Sequence, residues 1–231
     1  MFMLSNLKKE LRSKANPKKA RILQRFFKTG PGEYGHGDVF LGITVPETRK
    51  LAEKYGGLKS EEAIKLLHSK IHEERLAALL ILVKKFQTDQ DKKKIYNLYL
   101  KNTRYINNWD LVDLSACKIV GDYLLDKPRS ILYNLAKSKS VWERRISIIA
   151  AFSFIRNDDF EETLKISEML LKDEHDLIHK AVGWMLREIG KRDIKAEEKF
   201  LQKHYKQMPR TMLRYALEKF PEKKRKQYLL S

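Results

Sequence analysis

Apolar residues recur along most of this chain at intervals of three and four, the period of one helix face, and no segment sustains the alternation of a strand. Pro17, Pro31, Pro46, Pro128, Pro209 and Pro221 fall where the patterns break. That is expected of a residue that removes a backbone donor. Five of the ten glycines crowd into GPGEYGHGDVFLG, Gly30 to Gly42, which predicts a loop between helices. The segment lacks the Lys-Ser/Thr ending of a phosphate-binding loop, so no nucleotide site is expected there.

The helical pattern repeats. Glu74-Arg75-Leu-Ala-Ala-Leu, Trp109-Asp110-Leu-Val-Asp-Leu, Arg144-Arg145-Ile-Ser-Ile-Ile and His179-Lys180-Ala-Val-Gly-Trp align with their second residues 35 positions apart, and Leu213-Arg214-Tyr-Ala-Leu follows one residue out of step. A period of this length holds two helices and a turn. It predicts an all-α, right-handed α-α superhelix of HEAT-like repeats with a concave basic groove. The expected organisation is a single domain over 1–231, with N-terminal helices and the glycine loop in 1–60 and the repeats in 61–231.

Composition narrows the class. With 48 Lys and Arg against 30 Asp and Glu, the formal net charge is +18. Such an excess favours a polyanionic partner, most simply nucleic acid, with generic adhesion or an acidic lipid surface as the alternatives. The glycine loop then reads as a structural loop or one at the edge of DNA. Cys117 is the one cysteine, so neither a disulfide framework nor a cysteine zinc site is expected. No apolar run approaches a membrane span, and the N-terminus lacks a signal-peptide core, so an intracellular, cytoplasmic protein associated with the nucleoid is expected. His68 and His72, like His175 and His179, stand four apart. Neither pair has an obvious third ligand, so these are expected to be surface histidines rather than a metal site. The tail EKKRKQYLL is either solvated surface or a capping helix.

One stretch resists the pattern. In NNWDLVDLSACKIVGDYLL, Asn107 to Leu125, the asparagines are placed to cap a helix whose apolar sector holds Val112, Ala116, Ile119, Val120, Tyr123 and Leu124. At 100° per residue Asp113 falls about 40° from Trp109, inside that sector, while Ser115, Lys118 and Asp122 make the polar face. A buried, unpaired carboxylate is costly. Asp113 therefore needs a cation, hydrogen-bond donors or an opening onto a cleft; a place in the first helical turn, near free amides, is the plain alternative. In VWERRISIIAAFSFI, Val141 to Ile155, apolar residues surround nearly the whole helix and Arg145 lies among them. Arg145 is either a structural partner of Asp113 or a phosphate ligand. Trp184 lies at the rim of its apolar face, flanked by Lys180 and Arg187, as a partly buried core residue or an aromatic wall. Gly183 beside it would let another backbone approach closely.

Taken together, FFKTGPGEYGHGDVFLGITVPETRKLA, NNWDLVDLSACKIVGDYLL, VWERRISIIAAF, HKAVGWMLREIGKRD and MPRTMLRYALEKFPE resemble the AlkD-like DNA alkylation repair proteins from about Phe26 to the C-terminal basic helix. The resemblance implies a HEAT-like solenoid and a DNA glycosylase acting on N3- and N7-alkylated purines in double-stranded DNA, without a deep pocket for the base. It assigns Trp109, Asp113 and Trp184 to the catalytic group, and Arg145, Phe26, Lys180 and Arg187 to DNA contact. At the position of Phe26 the family carries a tyrosine, so a hydrogen bond from that site is lost here. Some members bind DNA with little glycosylase activity, which leaves a non-catalytic protein for branched or distorted DNA as the alternative.

That chemistry suits the residues. An alkylated purine is already a cationic leaving group, so the enzyme has mainly to stabilise positive charge on the departing sugar. Asp113 supplies the negative charge and a base for water, the indoles supply aromatic faces, and Arg145 holds a phosphate. No lysine stands out as a Schiff-base nucleophile, so hydrolysis to an abasic site is expected. No metal, organic cofactor or obligate protein partner is expected, and a monomer suffices.

Overall fold

In a computed structural model of the chain, which describes residues 2–88 and 91–230, every regular element among those residues is helical. An isolated parallel bridge joins Val39 to Ile71. The chain divides into two compact units, Met1–Ser115 and Ala116–Ser231.

The first unit contains α1 (Phe2–Ser13), α2 (Pro17–Phe26), α3 (Val45–Lys54), α4 (Ser60–Leu67), α5 (His72–Thr88), α6 (Lys92–Lys101) and the start of α7 (Trp109–Ala116). Local chemistry fixes their beginnings. The Asn16 side chain accepts from the Lys19 amide ahead of Pro17, and Thr44 and Glu47 form a reciprocal capping box around Pro46. Helix α5 is the unit's central element, against which α1, α3, α4 and α6 pack. Every residue from His72 to Val83 is buried, including the polar run His72-Glu73-Glu74-Arg75 that opens the helix. Burial of four such groups demands partners for each: Glu74 meets Lys8 and Arg12 of α1, and the partners of the other three organise the functional site.

Between α2 and α3 lies the predicted glycine loop, and its role in the fold is structural. Gly42 takes φ +85°, and a Cβ there would stand 2.2 Å from the Asn16 carbonyl, so only glycine fits. The amides of Leu41, Gly42 and Ile43 donate to the Glu73 carboxylate at 2.9, 2.8 and 3.2 Å, which ties the end of the loop to the start of α5.

Past its last α-helical residue, α7 runs into a π-helical turn, Cys117–Gly121, in the second unit. There follow α8 (Ser130–Ala136), α9 (Val141–Ala150), α10 (Phe152–Ile155), α11 (Glu161–Met169), α12 (Asp176–Gly190), α13 (Ile194–His204), α14 (Arg210–Ala216) and α15 (Glu222–Leu230). Helix α12 is central here, buried along Ile178, Ala181, Val182, Met185, Leu186 and Ile189 and packed by α9, α11, α13 and α14. As its composition predicts, α9 is interior, with Arg145 to Ala150 all buried. The basic tail forms the terminal helix α15, whose Tyr228 packs edge-on against Tyr205 and Phe220.

The repeat is borne out as an alternation of helices: Arg75, Asp110, Arg145, Lys180 and Arg214 fall in α5, α7, α9, α12 and α14, every second helix once the four-residue α10 is counted with α9. Two expectations need correction. Ser115, assigned to a polar face, is fully buried, because α6 brings the Tyr99 hydroxyl to 3.0 Å from it and the Leu111 carbonyl accepts its proton. His72, expected at the surface, is 2% exposed. His68 of the same pair is exposed, with its ring stacked on Tyr105. His175 caps α12, and half-buried His179 bonds the Asp173 carbonyl.

Gly183 has the use expected of it. A Cβ there would lie 2.4 Å from the Met212 carbonyl oxygen and 2.6 Å from the Tyr215 Cβ, so α14 seats directly on the glycine. Gly183→Ala gains about 1 kcal/mol of helix propensity but forces backbone apart, which costs about 1–3 kcal/mol. The expected result is a lower urea midpoint at unchanged slope; an equal or higher midpoint would contradict the close seating.

Candidate functional site

The first unit encloses one side of α7 with aromatic rings. Trp109 is half-buried, stacked on Phe27 with ring centroids 5.2 Å apart and planes 18° apart, and it meets Phe26 edge-on at 5.9 Å. Phe27 in turn stacks on Phe40 at 5.0 Å. These rings border a cavity of about 600 Å³, and Asp113 and Leu114 reach it from the next turn of α7. Ile22 and Phe26 of α2 form its outer edge and are 66% and 62% exposed, unusually open for large apolar side chains. Lys18, Lys19, Arg21 and Arg25 stand on the same helix, so apolar rim and positive charge come together.

Asp113 answers the puzzle of the acid in an apolar sector. It is neither sealed in the core nor on the outer surface: it is half-buried, on the wall of an apolar cavity. Its charge is felt inside the unit. Burial pushes the Tyr99 hydroxyl well above the usual phenol range, and the Asp113 charge pushes the same way.

The start of α7 is held by a polar network invisible in the sequence pattern. His72 Nε2 lies 2.8 Å from Asp110 Oδ2, and its Nδ1 lies 3.4 Å from Asp38 Oδ2. Arg75 donates to the same Asp38 oxygen at 2.5 Å, and the Asn107 side chain donates to Asp38 Oδ1 at 3.3 Å. The other Asp110 oxygen accepts the Leu111 amide, and Asn108 accepts the Trp109 amide. The asparagines thus do serve the helix start, Asn108 on the first amide and Asn107 on the loop. Burial opposes charge on His72, yet the flanking Asp110 and Asp38 outweigh it and hold the imidazole above its ordinary value. For Asp38 burial again acts to raise the value, but hydrogen bonding to His72 and the Arg75 charge win, so its carboxyl stays below the usual range.

A family model described as DNA alkylation repair enzyme matches residues 7–220. The chain belongs to the DNA alkylation repair enzyme family. A solved structure of a predicted DNA alkylation repair enzyme from Enterococcus faecalis has the same fold, with TM-score 0.72 and 18% identity over 90% of this chain and 97% of that one. No curated protein matches.

For this family member the second unit holds the remaining predicted residues. Trp184 is half-buried near Phe152, and its indole N–H donates to Glu188 at 3.0 Å. Arg145 is buried, with a guanidinium N–H given to the Leu177 carbonyl. Lys180 pairs with Asp176 one turn earlier at 2.7 Å. Arg187, expected on the polar side of Trp184, is only 17% exposed and is bonded to Glu218 and Glu188. Those acids lie 31 positions on and one position on, and the first is beyond the reach of a helical wheel.

Asp38, His72, Arg75 and Asp110 escape sequence reasoning as site residues. The available signal was HEER opening an otherwise apolar helix: four polar residues at the head of a helix buried all round must face partners. Because the native Asp38 value is depressed, the stability it contributes is present above its ordinary 3.8 and is lost as pH falls through the lower native value. The stability gap between wild type and Asp38→Asn should therefore be full at pH 5 and shrink toward pH 2 in denaturant titrations. A gap independent of pH would show that Asp38 is not ionised in the native network.

Proposed function

We propose that this protein is a DNA glycosylase that hydrolyses the N-glycosidic bond of N3- and N7-alkylated purines in double-stranded DNA. The observation that carries the reading is the half-buried Asp113 on an apolar cavity wall beside Trp109, in a protein of net charge +18. A carboxylate on an apolar wall near phosphates is unfavourable until positive charge develops next to it. Departure of a cationic purine creates that charge at the deoxyribose.

In the proposed step the C1′–N bond breaks and its electron pair neutralises the alkylated base. The oxocarbenium-like sugar left behind faces Asp113, which also takes a proton as water adds to C1′. Apolar walls lower the local dielectric and strengthen that attraction. Trp109 offers an aromatic face to the cation, worth about 0.5–2 kcal/mol, and Trp184 is assigned the same role. Phe26, with its neighbouring lysines and arginines, contacts the DNA, and Arg145, Lys180 and Arg187 bind backbone phosphate. For the two arginines, phosphate must share or replace the partners they already hold. No Schiff-base step is involved, so the product is an abasic site in an unbroken strand. The enzyme acts as a single domain and a monomer, inside the cell; no helix among the described residues is long and apolar enough to cross a membrane.

Duplex DNA carrying 7-methylguanine should lose that base above the spontaneous rate, without strand cleavage, when incubated with the protein. No release above background would leave a DNA-binding protein in place of an enzyme. Asp113→Asn should lower release by about 100-fold or more, while affinity for the same duplex holds or rises; equal rates would clear Asp113 of a catalytic part. Affinity should also fall steeply between 50 and 200 mM salt if several phosphates are held, roughly 10³-fold for six contacts. A flat salt profile would point to a partner other than DNA.

A further inference from the structure

The polar network at the head of α7 has a geometry that a purely structural hydrogen bond does not require. Both nitrogens of the His72 ring face carboxylate oxygens, Nε2 toward Asp110 and Nδ1 toward Asp38. An ionised carboxylate only accepts, and a neutral imidazole has one N–H to give; the arrangement is satisfied in full by the doubly protonated ring. The charges agree. Asp38 and Asp110 bring two negative charges and Arg75 one positive, so an imidazolium balances this group of four. The neighbouring Glu73 is occupied by the loop amides of Leu41, Gly42 and Ile43. The ring is also clasped by aromatic faces, Phe40 stacked at 4.4 Å and Phe27 tilted at 5.1 Å. Phe27 is the ring on which Trp109 lies.

His72 thus touches α7 by two routes, through Asp110 to the helix backbone and through Phe27 to the indole. We propose that His72 is a positioning residue for the Trp109–Asp113 pair, a buried imidazolium that fixes the pitch of the helix start and the plane of the indole, and that releases both when it loses its proton. This rests on the glycosylase reading only for its effect on rate; the coupling itself is a property of the free protein. The network spans Asp38 in the glycine loop, α5 and α7, so the loop, the central helix and the site move as one while the ring is charged.

The sign follows from the partners. With carboxylates on both sides, the native imidazole titrates above its ordinary 6.5. The clamp is complete on the acid side of the native His72 titration and opens on its alkaline side. A misplacement of about 1 Å in a catalytic group can cost about 100-fold in rate, so loss of the clamp should reduce base release by roughly 10- to 100-fold.

The test reads the free protein and the enzyme separately. In ¹⁵N-labelled protein without DNA, the indole N–H signal of Trp109 should move with the titration of the His72 ring, while those of Trp142 and Trp184 hold still. The His72→Gln variant should abolish that movement, and its base release should be reduced below the pH at which the wild-type ring titrates and lack the wild-type fall above it, with affinity for undamaged duplex unchanged. If His72→Gln does not fold, the wild-type titration decides alone. A Trp109 signal indifferent to His72, or a variant with the wild-type rate and pH profile, overturns the proposal while leaving the glycosylase reading intact. If no base is released at all but Trp109 follows His72, the enzyme reading falls and the coupling stands.

Discussion

A buried polar network at the head of one helix is the constraint that holds the candidate site in place. Trp109 and Asp113 sit on a short helix whose first turn would otherwise leave free amides beside an apolar cavity. Asn108 and Asp110 satisfy two of those amides, and His72 binds Asp110 from the central helix of the unit. The aromatic column Phe40–His72–Phe27–Trp109 then sets the indole by packing rather than by a loop. A site meant to stabilise charge gains from such rigidity, because dipoles and charges already in place need not reorganise as the reaction proceeds.

The electrostatic design runs against the protein's average. An excess of lysine and arginine brings the polyanion to the surface. Each acid near the DNA weakens that attraction, so an acid on the wall of an open apolar cavity needs a reason to be there. Many of the acids in the structure are spent on partners: Glu73 on loop amides, Glu188 and Glu218 on Arg187, Asp173 on Arg144. Asp113 differs by its place, half-exposed between an indole and the cavity. In the proposed reaction the apolar walls magnify its effect on the sugar cation.

The sequence exposes features governed by local rules. Helix period, proline placement, the glycine loop, the repeat of paired helices and the close approach at Gly183 are set by neighbours within a few residues or by volume at one position. So is the location of Asp113, because one helical wheel decides it. What the sequence conceals are pairings between distant segments. His72 looks like a surface histidine until the glycine loop brings Asp38 beside it and α7 brings Asp110. Ser115 looks solvated until α6 lays Tyr99 against it. Arg187 looks like a flank of Trp184 until Glu218 meets it from the turn after α14. In each case a polar residue on an apolar or crowded helix was paired across 16 to 38 positions, which no periodicity reports.

The most direct probe of the charge argument is affinity rather than turnover. A duplex carrying a cationic pyrrolidine in place of one deoxyribose mimics the sugar at the moment of bond breaking, and a neutral tetrahydrofuran of the same shape is its control. Wild-type protein should bind the cationic duplex at least about tenfold more tightly than the neutral one, a difference of about 1.4 kcal/mol, and Asp113→Asn should erase that preference. Equal affinity of the wild type for the two duplexes would contradict the account.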